Sequence, residues 1–105
     1  MGFGRFCAKG YSIVTAHGTS MYPIIKDGDR CIINYNIPEG NLTDMIIVFG
    51  DTRICHRCVK DEGEWLTFQG VNSSSQEHAT RDELKAVFIK VTDNSFLDMI
   101  GLGLS

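Results

Sequence analysis

Hydrophobic positions along the chain fall in short runs rich in β-branched and aromatic residues, each closed by glycine, proline, asparagine or aspartate. Such runs predict strands, because a branched Cβ packs well on a pleated surface and crowds the turn of a helix. Six segments fit: YSIVTAH at 11–17, RCIINY at 30–35, MIIVFG at 45–50, RICHRCVK at 53–60, EWLTFQG at 64–70 and AVFIKVT at 86–92. Between them lie turn signals at Gly28-Asp29, at Gly50-Asp51 and in DEGE at 61–64. The polar stretch SSSQEHATR at 73–81 reads as a loop, and RDELKAV at 81–87 allows one helical turn. No longer stretch carries the 3.6-residue period of an amphipathic helix. The expected fold is all-β, a mostly antiparallel sheet that is coiled or partly closed. With 105 residues there is room for one core, so the domain is 1–105.

Composition narrows the classes of function. The chain is 43% hydrophobic and 22% charged, which is ordinary for a globular protein and excludes a disordered one. Its net charge is −3, from 10 basic and 13 acidic residues, and no basic stripe is present. Nucleic-acid binding through bulk charge is therefore not expected, since phosphate contacts dominate that affinity. No apolar run reaches the roughly 20 residues that cross a bilayer. The opening MGFGRFCAKG is too short and too broken by glycine for a signal peptide. These features favour a cytoplasmic or membrane-associated protein, with SFLDMIGLGLS at 95–105 the one candidate for contact with a membrane surface.

Cys7, Cys31, Cys55 and Cys58 permit two disulfides, but nothing marks an oxidising compartment. Cys55-x-x-Cys58 has the spacing of a zinc half-site, and no second half accompanies it. On a strand, residues three apart point to opposite faces. The cysteines accordingly read as small buried hydrophobes, and neither metal nor cofactor is expected.

Candidate chemistry lies in GTSMYPIIKDGD at 18–29. Ser20 sits between a strand and a turn-rich segment, where Gly18 lets the backbone bend and Pro23 stiffens the exit. A serine there can project into a cleft beside backbone N–H groups, although most loop serines only form turns. A hydroxyl becomes a nucleophile when a base takes its proton, and histidine does so best near neutral pH. His56, in the middle of a predicted strand, is the best such base. His17 is too near Ser20 in sequence, and His78 falls in the polar loop. Lys60 shares the strand face of His56 but stands about 13 Å along it. Lys26 reads as a solvated turn residue, and Arg57, opposite His56, as the partner of a carboxylate.

Gly18-Thr19-Ser20-Met21-Tyr22-Pro23 with Lys26-Asp27-Gly28-Asp29 resembles the Ser-Met-x-Pro…Gly-Asp box of signal peptidase I and of LexA-type peptidases. Ile54-Cys55-His56-Arg57-Cys58-Val59 is similar to the later His-Arg box of the endoplasmic-reticulum and archaeal signal peptidases, where histidine takes the place of lysine. Phe68-Gln69-Gly70-Val71-Asn72 resembles the third box and AVFIKV the closing strand, so the likeness spans 11–91 in the family's order. It implies the catalytic-domain fold of that family and a serine endopeptidase with Ser20 as nucleophile and His56 as general base. It also implies a third, acidic residue that orients the imidazole, with Glu77 the nearest match and Asp82 the next. The substrate would be an extended peptide with small residues before the scissile bond, added to a sheet edge. Val71 stands where the family has aspartate, and Gly18 where many bacterial members have a serine. Val71 supports a second expectation, a catalytically weak or inactive peptide-binding module of the same fold. A self-processing regulator domain fits less well, because no DNA-binding segment, cleavage segment or matching lysine is present.

Overall fold

A computed structural model of the chain describes residues 10–92. Within them the fold is all-β, with strands β1 (Tyr11–Thr15), β2 (Arg30–Asn34), β3 (Ile46–Phe49), β4 (Ile54–Asp61), β5 (Trp65–Gln69), β6 (Gln76–Thr80) and β7 (Leu84–Val91). The strands form a single sheet in the order β1-β2-β7-β3-β4-β5-β6. Every neighbouring pair is antiparallel. β3 to β6 follow one another as hairpins, and β7 returns to fill the gap between β2 and β3. The sheet stays open, with β1 and β6 at its edges.

β6 departs from the loop expected at 73–81. It pairs with β5 from Trp65↔Thr80 to Gln69↔Gln76, and of its residues only Ala79 is buried. An edge strand with one wet side carries polar side chains at most positions, so its sequence looks like a loop. The helical turn allowed at 81–87 is a short 3-10 turn, Arg81–Glu83, whose Glu83 carboxylate accepts the Thr80 N–H at 2.7 Å.

Register sorts the side chains to two faces. On one, Ile47, Phe49, Cys58, Leu66, Phe68, Ala79 and Val87 close over Leu42 from the β2–β3 connection. Phe49 and Phe68 stack there with ring centroids 4.0 Å apart. Burying side chains of this size contributes about 1.5–3 kcal/mol each. On the other face, Val14, Cys31, Ile33, Val48, Ala86 and Phe88 form a second apolar surface. Cys55 lies on this second face and Cys58 on the first, as the strand alternation requires. Cys31, Cys55 and Cys58 are free thiols. Cys7 and the 95–105 segment lie outside the described residues. No helix among the described residues is long and apolar enough to cross a membrane.

Bulges interrupt the ladder at three places, between Ile32 and Ile33, between Val48 and Phe49, and between Cys58 and Lys60. The last corrects one expectation. An extra residue shifts the alternation by one position, so Lys60 pairs with Thr67 and leaves the face of His56.

Candidate active site

His56 sits in β4 opposite Ile47 and is only 7% exposed. Because Arg57 pairs with Gln69, the position across from His56 on the β5 side is Gly70. Glu77 lies opposite Phe68 on β6, on the same face as His56. With no side chain at Gly70 to intervene, the imidazole and the carboxylate meet diagonally across the strand between them. His56 Nδ1 is 2.6 Å from Glu77 Oε1, and His56 Nε2 is 2.8 Å from Ser20 Oγ. A Cβ built on Gly70 would stand 2.6 Å from the Ser20 carbonyl oxygen and 3.1 Å from His56 Nε2. Only glycine leaves room for all three groups.

Ser20 arrives from the segment 16–29 that joins β1 to β2. The base of this segment is zipped by Ala16 N–H to Asp29 O and Gly28 N–H to Ala16 O, each 2.8 Å. Gly18 adopts φ +95, a left-handed conformation that L side chains disfavour, and donates its N–H to Asp27 Oδ1 at 2.8 Å. Met21 and Ile25 are buried against Cys31 and, beyond it, partly buried Ile46, Cys55 and Phe88, so the residues next to Ser20 anchor the segment to the second face. Three further ties come from the turn after β5. Asn72 N–H donates to Ser20 O at 2.7 Å, Asn72 Nδ2 to Thr19 O at 3.2 Å, and Val71 N–H to Met21 Sδ at 3.5 Å. Val71 itself is 40% exposed. Support for the Ser20 loop therefore comes from the backbone of 71–72 and from Asn72, and does not need an acid at 71.

The remaining candidates lie elsewhere. Asp82 accepts from Thr80 Oγ1 in the turn before β7, away from His56. Arg57 pairs with Asp44 at 3.0 Å in an exposed contact, and Lys60 with Glu62 at 3.5 Å. Lys26 is exposed, its N–H bonded to Asp29 Oδ2. His78 is on a strand rather than in a loop. It stacks on Trp65 at 5.5 Å and meets Thr67 Oγ1 at 3.1 Å, on the face opposite Glu77. His17 is exposed and lines the cleft beside Ser20.

That cleft has a volume of about 670 Å³. Its floor is the second apolar face, and Ser20 and His56 line it together with residues of the 16–25 segment. Burial, reinforced by the nearby Cys31 sulfur, pushes the Cys55 thiol up to about 12. Burial likewise raises Cys31, with the Asp29 carboxylate adding to it. Both thiols stay neutral near pH 7, so the floor is uncharged. No group of three or more His, Cys, Asp or Glu among the described residues is placed to hold a metal ion.

Gly70, Asn72 and Asp27 are contributors that the sequence presents only as members of the boxes carrying the family resemblance, with no role of their own. Their local signals are ordinary turn residues, and their roles come from contacts between segments 9 to 53 positions apart. The arrangement can move a proton. An imidazole with Nδ1–H donated to a carboxylate presents Nε2 as the acceptor for a hydroxyl. Comparison with protein families, with curated proteins and with solved structures finds no match for this chain.

Proposed function

We propose that this chain is a serine endopeptidase of the signal peptidase and LexA type, with Ser20, His56 and Glu77 as its catalytic groups. The observation that carries the reading is the continuous row from Ser20 Oγ through His56 to Glu77 Oε1, with links of 2.8 and 2.6 Å, whose Ser20 and His56 line an apolar cleft. Near-attack hydrogen-bond lengths of this kind are what general-base catalysis requires.

In the proposed reaction, Ser20 Oγ attacks the carbonyl carbon of an extended peptide and its proton passes to His56 Nε2. Glu77 holds the imidazole in the competent tautomer and stabilises the imidazolium that forms. We assign donation to the developing oxyanion to the Ser20 N–H, for which no acceptor is found among the described residues. Collapse of the tetrahedral intermediate breaks the C–N bond as His56 returns the proton to the leaving amine. Water then attacks the acyl-enzyme, its proton taken by His56, and the Ser20 hydroxyl is restored.

A fluorophosphonate probe tests the assignment. The chain is expected to be labelled at Ser20, Ser20→Ala to take no label, and His56→Ala to react about 10²–10⁴-fold more slowly. Labelling that His56→Ala leaves unchanged overturns the Ser-His pair. Absence of any labelling, together with absence of peptide hydrolysis, supports the peptide-binding module instead.

A further inference from the structure

One residue of the turn after β5 clamps two successive peptide units of the Ser20 loop. The Asn72 N–H donates to Ser20 O at 2.7 Å, and its side-chain Nδ2 donates to Thr19 O at 3.2 Å across 53 positions of sequence. Thr19 O also accepts the Tyr22 N–H at 3.0 Å. The peptide unit between Thr19 and Ser20 is therefore tied at its carbonyl end only. The Ser20 N–H at its other end has no acceptor among the described residues. That N–H is the donor assigned above to the developing oxyanion.

The Thr19–Ser20 peptide is trans. In a planar trans unit the C=O and the N–H point to opposite edges, so holding the oxygen fixes the direction of the N–H. Ser20 and Met21 line the cleft, whereas Thr19, Tyr22 and Asn72 do not. Both donors to Thr19 O thus come from residues off the cleft, and the opposite edge, with the Ser20 N–H, is turned toward it. Gly18 offers no substitute, since its N–H is taken by Asp27 Oδ1 at 2.8 Å and it has no side chain. The Tyr22 bond lies within the loop and moves with it. Of the two donors, only Asn72 refers the plane to the sheet.

We infer that Asn72 is a positioning residue for the oxyanion: its side-chain amide, by holding Thr19 O, aims the Ser20 N–H at the substrate carbonyl oxygen. The inference rests on the peptidase reading and adds a residue to it. As Ser20 Oγ bonds to the carbonyl carbon, its proton passes to His56 Nε2 and the π pair of the C=O moves onto oxygen. The hydrogen bond from the Ser20 N–H strengthens as that charge builds. An amide that sets this bond acts on the transition state and leaves binding of the uncharged substrate alone.

The test compares the full chain with Asn72→Ala and Asn72→Asp on a quenched fluorescent peptide that has alanine before the scissile bond. Asn72 is exposed and both variants keep its backbone N–H, so the fold and the tie to Ser20 O persist. In each variant kcat is expected to fall by about 10- to 10²-fold, short of the 10²–10³ that loss of an oxyanion donor itself costs. KM should stay within about twofold, the mark of an interaction made only in the transition state. A boronate of the same peptide, whose adduct with Ser20 is tetrahedral and anionic, should lose affinity by the same factor as kcat. A separate arm uses Ser20→Cys. Iodoacetamide alkylation of the introduced thiol forms no oxyanion, and adding Asn72→Ala should leave its rate unchanged. Slowed alkylation would show that Asn72 places the side chain at 20 instead of the N–H, and overturns the inference. Unchanged kcat in Asn72→Ala, a loss confined to KM, or full activity in Asn72→Asp, which keeps the size of the side chain without its donor, overturns it as well. These outcomes leave the peptidase reading standing. A wild-type chain that neither cleaves the peptide nor binds the boronate rejects that reading, and the role of Asn72 with it.

Discussion

His56 and Glu77 are held by the sheet, whereas Ser20 is carried by a connection with no regular structure of its own. The first two belong to β4 and β6, where ladder bonds on both sides of β5 set their positions. Ser20 depends on a handful of discrete ties, to Asp27, to Asn72, to Val71 N–H and through the burial of Met21 and Ile25. The imidazole and the carboxylate beside it are thus rigid by topology, and the Ser20 hydroxyl is rigid by local contact. Damage to the two halves should differ in kind. Changes in the strand half should alter the chemistry of the imidazole without moving the backbone, and changes in the loop half should displace Ser20 while the sheet persists.

The largest expected effect falls on the strand half. Glu77→Gln keeps the shape of the side chain, but its amide can donate to His56 Nδ1 and so favour the tautomer with Nε2 protonated. That tautomer cannot take the Ser20 proton. Under the proposed mechanism the rate of acylation, read by fluorophosphonate labelling or peptide cleavage, falls by about 10³–10⁴-fold. Thermal stability should change little, because Glu77 is partly exposed on an edge strand. Labelling within a few-fold of wild type would remove Glu77 from the catalytic set.

The loop half is tested where it touches the strands. Gly70→Ala puts a methyl group 2.6 Å from the Ser20 carbonyl oxygen, a backbone atom that cannot rotate away. The Ser20 segment must move outward, and a misplacement of about 1 Å costs on the order of 10²-fold in rate. Circular dichroism should still report the sheet, since Gly70 follows the last residue of β5. A variant with full activity would show that the 16–29 segment adapts freely, and the contrast between the halves would disappear.

Much of this molecule is legible from its sequence, and unevenly so. Strands such as 46–49 and 65–69 announce themselves because buried positions need branched and aromatic side chains. β6 hides because an edge strand wet on one side needs few of them. The bulge that turns Lys60 away from His56 leaves no local mark, since it is set by pairing with β5. Ser20 and His56 stand out as candidates through their neighbours in the chain, but their 2.8 Å approach is created by β4, Gly70 and the 71–72 turn acting together. The cleft is less legible still. Its floor gathers residues from β1, β2, β7, β3 and β4, and no short window of sequence contains it.

The smallest effect on activity, and the clearest separation of fold from site, is expected at Asp61. Its side chain is 3% exposed and accepts the Leu42 and Gly63 N–H groups at 2.8 Å each and Arg81 Nη1 at 3.0 Å. These donors, the two backbone amides first and Arg81 after them, hold its carboxyl below the usual aspartate range. Leu42 is fully buried in the first-face core, so Asp61 fixes the loop that seals it. Asp61→Asn is expected to cost about 1–3 kcal/mol at pH 7, measured by urea unfolding. The lowered folded value sets the sign. The unfolded chain binds the Asp61 proton more readily, so the stabilisation is complete above the unfolded value of about 4 and is lost as pH falls through the folded one. Wild type and Asp61→Asn should therefore converge in stability in acid. Asp61 stands five residues beyond His56 on β4, about 16 Å along the strand. Probe labelling per folded molecule should match wild type, and a lowered rate in the folded variant would show that the far end of β4 also sets the geometry at Ser20.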